Sequence, residues 1–359
     1  MSSFRAPVRF FLGSNTPTGF VDTAKTLYKP DGWRVYLLKS GAGTGKSTLL
    51  RRVYEQLTAE GEEAEAFCCS SDPDSLDAVR FPARQLCLID ATAPHSVEPL
   101  YWGTVEQLVP LSQCMSNSLR ENAPAIMALT DENRSLHRRC RGYLRAAASL
   151  LRESRRIQRE SLNRDKLCRY AHHLAASEWQ SDTVCVQLAA CERRFLSAFT
   201  PEGWITFYDT LQALCPRIYA VEDEQGAAAS LLLSELQQAA VADGKHCIAC
   251  PCPLFPDEGP EHLLLPELGL AFTTSNSFHK VDFPIFRRIH ASRFLDTEQL
   301  RHHRQVLSFR RRAAMELLQE AASLSAQAKE IHDQLEQYSV AAMDWQRYEQ
   351  LATELLKNI

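Results

Sequence analysis

The chain has 359 residues with 40 basic and 44 acidic side chains, a net charge near −4, so bulk charge advertises neither a nucleic-acid nor a membrane partner. No run approaches 18 apolar residues, which argues against a transmembrane helix, and Met1-Ser2-Ser3-Phe4-Arg5 carries no secretory pattern. Twelve cysteines in such a chain read as reduced, mostly buried thiols of a cytoplasmic protein.

Residues 7–29 predict a loop at Thr16-Pro17-Thr18-Gly19 and a short helical stretch near 21–27. Val35-Tyr36-Leu37-Leu38 predicts a strand, and Thr48 to Glu60 a helix that Gly61 ends. Between them stands Ser40-Gly41-Ala42-Gly43-Thr44-Gly45-Lys46-Ser47. Strand, glycine-rich loop and helix together are the context of a phosphate-binding P-loop. Glycines let successive amides turn inward toward an anion, and the helix N-terminus adds its positive dipole end. Gly41, Gly43, Thr44, Gly45, Lys46, Ser47 and Thr48 are therefore the expected nucleotide contacts, with Lys46 at the terminal phosphates and Ser47 on Mg²⁺. The first position of the usual pattern holds Ser40 instead of glycine.

A second strand is expected at 64–69, then a loop through Ser70-Ser71-Asp72-Pro73-Asp74, then a third strand, Leu86-Cys87-Leu88-Ile89-Asp90. Asp90 closes that strand where a second Mg²⁺ carboxylate belongs, opposite Ser47. Ala91 follows it, where many ATPases place a glutamate to orient water. Either another residue does that work, from Asp72, Asp74, Asp77, His95 and Glu98, or hydrolysis is slow and the protein is a nucleotide switch. Asp77 and His95, expected on loops at the carboxyl edge of the sheet, join Lys46 as the catalytic candidates.

Residues 112–190 are helical in pattern and are expected to form a projecting hairpin. Eleven arginines and one lysine face five acids over 131–173, an ordinary solvated face or a docking surface for a protein partner; widely spaced aromatics make nucleic acid the less favoured reading. The rest of the chain repeats the first part. RFFLGSNTPTGFV at 9–21 faces RRFLSAFTPEGWI at 193–205, Pro17 and Gly19 falling on Pro201 and Gly203. RVYLLKSGAGTGKSTLL at 34–50 faces RIYAVEDEQGAAASLLL at 217–233, and residues 81–98 face 265–282, with His95 on His279. In the second copy Gly45 becomes Ala228, Lys46 becomes Ala229, Asp90 becomes Thr274, and Glu222, Asp223 and Glu224 crowd the loop, so one nucleotide per chain is expected. Cys247, Cys250 and Cys252 lack a second paired set, which argues against a zinc site. Arg287, Arg288 and Arg293 are candidates to face the first half's phosphates, and 298–357 forms a second helical tail.

The predicted fold class is α/β: a three-layer P-loop NTPase parallel sheet, duplicated in tandem as 1–192 and 193–359, each copy with a helical appendage. The blocks GAGTGKSTLL, CCSSDPDSLDAV and DATAPHSVEP resemble a family of bacterial tandem-repeat P-loop ATPases of about this length. The resemblance covers nearly the whole chain and is strongest over 9–125. It implies ATP binding through Gly43, Gly45, Lys46, Ser47 and Asp90; the decayed second loop departs from the family pattern. The readings are a Mg²⁺-dependent ATPase with a regulatory or structural second half, a small-molecule or nucleotide kinase, and a non-enzymatic ATP-gated scaffold.

Overall fold

A computed structural model of the chain describes residues 6–179 and 189–359. The first half runs β1 (Arg9–Phe11), β2 (Gly13–Thr16), β3 (Gly19–Asp22), β4 (Arg34–Leu38), α1 (Lys46–Ala59), β5 (Glu65–Cys68), β6 (Leu76–Phe81), β7 (Leu86–Asp90), β8 (Glu106–Val109), α2 (Ala123–Glu160) and α3 (Arg164–Glu178). The second runs β9 (Cys191–Arg193), β10 (Ser197–Thr200), β11 (Gly203–Thr206), α4 (Tyr208–Leu214), β12 (Arg217–Glu222), α5 (Ala227–Ala242), β13 (Cys247–Cys252), β14 (Phe255–Leu265), β15 (Leu270–Ser275), β16 (Arg287–His290), α6 (Thr297–His302), α7 (Arg304–Ala342) and α8 (Trp345–Asn358). β9 straddles residue 192. Residues 180–188 of the expected helical insertion and the N-terminal residues 1–5 lie outside the described residues. Among the described residues no helix is long and apolar enough to cross a membrane.

Two six-stranded sheets carry the halves, ordered β1-β5-β6-β7-β4-β8 and β9-β13-β14-β15-β12-β16. The second order repeats the first, strand for strand. Both sheets are mixed, which corrects the expected parallel sheet: β6 runs antiparallel to β5 and β7, and β14 to β13 and β15. Residues 76–81, between the loop expected at 70–74 and the strand expected from 86, form a further strand, β6. The reason is connection length. Seven residues join β5 to β6 through a turn closed by the Cys69 amide on the Ser75 carbonyl, and a parallel return needs a crossover of about a dozen. β6 escaped a pattern search because Asp77 and Arg80 interrupt its apolar run, yet both are buried and paired.

Each sheet is covered on both faces. In the second sheet Ile218, Ile248, Leu264 and Ala271 point into the core shared with the first half. Tyr219, Cys247, Leu263 and Phe272 point to a second core, against α3 and α5. Repeat-equivalent residues meet where the halves join: the Phe11 amide donates to the Phe195 carbonyl at 2.8 Å.

The helical appendages do not project as hairpins. α2 lies antiparallel along α7 through a seam of Leu136, Cys140, Leu144 and Ala147 against Ala314, Leu318, Ala321 and Leu324. Small residues let these helices, each about 57 Å long at 1.5 Å per residue, approach closely. Each arm then crosses to the other half. After α2, the Asn163 amide donates to the Phe294 carbonyl and the Asp296 amide to the Ser161 carbonyl, both at 2.8 Å. After α7, the Asp344 amide reaches the Cys114 carbonyl at 2.7 Å and the Ser116 amide the Ala342 carbonyl at 2.8 Å. α3 then packs on α5, and α8 buries Tyr348, Ala352 and Leu355 in the core that holds α1. Cys247, Cys250 and Cys252 face three different apolar clusters: alternation along β13 sets Cys247 opposite Cys250, and register shifts at Pro251 part Cys250 from Cys252.

Candidate functional site

β4 pairs directly with β7, so the chain leaving β4 and the carboxylate ending β7 lie side by side. Between β4 and α1 the backbone turns through Gly43 at φ 69° and caps α1 with Gly45 at φ 83°, both in the left-handed region that favours glycine. Thr44 Oγ1 donates to the Gly41 carbonyl at 2.9 Å and braces the turn. Lys46, buried at the first position of α1, donates through Nζ to the Ser40 and Gly41 carbonyls at 3.1 and 2.5 Å. Its Nζ is 3.6 Å from Asp90 Oδ2. Burial pushes the Asp90 carboxyl above its ordinary pKa, Lys46 opposes that, and the Asp77 charge adds to it. The Thr92 amide donates to Asp90 Oδ1 at 2.9 Å, and Thr92 Oγ1 returns to the Ser40 carbonyl at 2.9 Å.

The loop thus brings Gly41, Gly43, Thr44, Gly45, Lys46 and Asp90 together. Ser47 Oγ accepts the Leu76 amide at 2.9 Å, tying α1 to the start of β6, and Thr48 is exposed on the next position. A hydroxyl and a carboxylate are hard oxygen donors of the kind Mg²⁺ takes, so the donor set fits that ion.

Asp77 opens the antiparallel β6, which returns it to the same carboxyl edge; it stands in a strand, not in the expected loop. Its Oδ2 is 2.9 Å from His95 Nε2. Burial lowers the affinity of His95 for a proton, but the Asp77 charge and hydrogen bond outweigh it and raise the pKa above the usual value. The Phe20 ring meets His95 edge-on at 4.9 Å. The second half repeats this trio: His279 Nε2 is 2.9 Å from Glu261 Oε1, and Trp204 stacks on His279 at 5.8 Å. Asp72 is 4.0 Å from Lys329, Glu98 pairs with Lys39, and the Asp74 carbonyl accepts from Arg51.

Sequence reasoning missed the residues that cover the loop, because they come from the far end of the chain. Tyr348 of α8 donates its hydroxyl to the Gly45 carbonyl at 2.8 Å. A Cβ on Gly45 would stand 2.9 Å from the Tyr348 ring, and one on Gly43 2.8 Å from the Glu336 backbone oxygen of α7. The Glu336 carboxyl is held below its ordinary pKa, first by His332 one turn away, whose Nε2 is 3.5 Å from Glu336 Oε1. Arg287, Arg288 and Arg293, expected to face the first half's phosphates, lie on the second half's own edge. Arg288 pairs with Glu222 at 2.8 Å, Arg293 sits 4.5 Å over the Tyr170 ring, and Arg287 opens β16.

The second loop is built differently. By the repeat alignment Ala227 and Ala228 stand at Thr44 and Gly45, yet α5 has already begun there, capped by Gly226 at φ 79°. Two residues that curl in the first half are helical in the second. Asp223 fills the vacated end: its carboxylate accepts the Ala229 amide at 2.8 Å and the Gln225 amide at 3.2 Å. Gln158 of α2 donates to the same carboxylate and accepts the Ala227 amide at 2.9 Å. Arg155 donates to the Gln225 carbonyl at 3.1 Å and to Glu258 at 2.6 Å. A cavity of about 560 Å³ opens beside this loop, lined among others by Glu222, Asp223, Glu224, Lys280 and Arg288. Two of its carboxylates are paired there, Glu222 with Arg288 at 2.8 Å and Glu224 with Arg311 at 3.1 Å. The chain matches no known family model, no curated protein and no solved structure.

Proposed function

We propose that the chain binds one ATP with Mg²⁺, at the glycine-rich loop of its first half, and hydrolyses it, the second half serving as a regulatory or structural partner. The contrast between the two loops carries this reading. The first keeps left-handed Gly43 and Gly45, and buries Lys46 beside Asp90. The second has extended its helix across the same positions and given its amides to Asp223. Gly41 to Thr48 would hold the phosphates, and Lys46 would carry charge-assisted bonds to them. Ser47 and Asp90 would hold Mg²⁺, which supplies charge neutralisation along the phosphates. The repeated Asp77–His95 arrangement speaks for an anchor of the N-terminal hairpin β2–β3, since Glu261 and His279 preserve it beside a loop without phosphate chemistry.

A second reading, a nucleotide-gated scaffold, is favoured by Ala91 after Asp90 and by the arm lying on the loop. Phosphate release from purified protein separates the two: turnover supports the ATPase, and binding without turnover supports the scaffold. Equilibrium dialysis with labelled ATP tests the site itself. Saturation should fall near one per chain and go toward zero for Lys46→Ala, whose lost bonds are worth about 1.5–3 kcal/mol. Saturation at two, or wild-type affinity in Lys46→Ala, would sink the assignment.

A further inference from the structure

The two exchanged arms meet their loops with opposite charges. Leu162 and Met343 occupy equivalent places, bridging to Leu295 and Met115, and the same spacing of 181 residues sets Arg155 against Glu336. Arg155 covers a loop whose amides already hold a carboxylate, Asp223, and it brings a guanidinium to a carbonyl and to Glu258. Glu336 covers a loop without an internal acid, and its Cα and Cβ lie against Gly43, which sets its carboxylate beside the loop. The α7 backbone approaches Gly43 so closely that a Cβ there would stand 2.8 Å from the Glu336 carbonyl. One turn past α7, Tyr348 holds the Gly45 carbonyl, while Lys46 is folded onto the loop's own carbonyls.

We infer that the second half's arm guards the first half's phosphate site, with Glu336 standing against Gly43 and its carboxylate taking the place of a phosphoryl group. Nucleotide enters by expelling Glu336 and lifting the bend between α7 and α8. Two anions cannot share one set of amides, and a carboxylate next to a triphosphate is repelled. The expelled bend carries the hydrogen bonds from Ser116 to Ala342 and from Asp344 to Cys114, so occupancy of the loop is passed to the segment that follows β8. This inference rests on the nucleotide-binding reading above and adds to it a residue that sets affinity.

Full-length wild type, Glu336→Gln, Lys46→Ala and the double variant are titrated with ATP by calorimetry, after thermal melts establish that each is folded. Glu336→Gln keeps the size of the side chain and removes the charge, and should bind ATP about ten- to a hundredfold more tightly than wild type. Glu330→Gln, an exposed position on the same helix, should leave affinity unchanged. Backbone hydrogen exchange over 336–348 should rise when wild type is saturated with ATP. Affinity of Glu336→Gln equal to wild type, an equal gain in Glu330→Gln, or exchange that does not change would overturn the guard. If Lys46→Ala still abolishes binding in those cases, the nucleotide site stands without it. No binding by wild type or Glu336→Gln at millimolar ATP would remove both.

Discussion

Asp90 has two claims on its carboxylate. One oxygen anchors the Thr92 amide and so shapes the turn after β7; the other lies 3.6 Å from Lys46. The pair with Lys46 and the proposed metal role depend on a full negative charge; the bond from Thr92 does not. Asp90→Asn keeps an oxygen for Thr92 and removes that charge. Affinity for Mg²⁺-ATP should then fall about tenfold or more, while metal-free ATP is bound nearly as before, by calorimetry with and without chelator. Equal losses would make Asp90 a turn residue. The sequence exposed Lys46, Ser47 and Asp90 because their chemistry is local: a loop and a strand end, about 45 residues apart on neighbouring strands. It could not expose Glu336 or Tyr348, which sit on unremarkable amphipathic helices some 290 residues away and acquire meaning only by where those helices lie.

At the scale of elements, α8 belongs by sequence to the second copy and by packing to the first. Tyr348, Ala352 and Leu355 face the core that includes Leu49, Leu50 and Val53 of α1. Leu355→Ala should therefore cost about 2–4 kcal/mol in thermal or denaturant unfolding, as removal of a buried leucine side chain does. Phe309→Ala, on the exposed side of α7 at 59 % exposure, should change stability by less than about 0.5 kcal/mol. If Leu355→Ala is as mild as Phe309→Ala, the arm is loosely laid on the first half. The helical periodicity of 112–190 and 298–357 was legible in the sequence; the partner of each stripe was not. An apolar seam such as Leu136, Cys140 and Leu144 asks for a partner without naming one, and α7 supplies it in place of α3.

The whole molecule is tied across its join by a cluster of charges. Arg80 of β6 pairs with Glu65 at 2.8 Å and with Glu192 of β9 at 3.2 Å; the fully buried Arg194 also pairs with Glu192. Burial would raise the Glu192 pKa, but His246, Arg194 and Arg80 outweigh it and hold it down to about 2, against an ordinary 4.5. A carboxyl depressed on folding contributes stability above its unfolded pKa and loses it as pH falls through the folded one. That contribution is of order 3 kcal/mol at neutral pH and should fade from about pH 4.5 toward 2. Arg194→Met should lower stability at pH 7 by about 1.5–3 kcal/mol, since it takes one charged partner from a half-buried carboxylate that keeps Arg80 and His246. The loss should shrink as the pH is taken below 4.5. Unfolding curves that keep the same separation at pH 7 and pH 3 would detach Glu192 from this cluster.

The amino-acid sequence by itself determined the α/β pattern, the internal repeat and the difference between the two loops. Each depends on residues close in the chain: glycines that permit left-handed turns, a lysine at a helix start, apolar runs of strand length. Tertiary structure decided the rest. It made the sheets mixed, because the connection from β5 to β6 is too short for a parallel return. It turned Asp77 to the carboxyl edge, and it set Asp223 onto the amides of its own helix. It also exchanged the arms, so that Glu336 and Tyr348 reach the first loop and Arg155 and Gln158 the second. Those placements come from burying two long apolar stripes against each other across the join, a contact whose members no local pattern can pair.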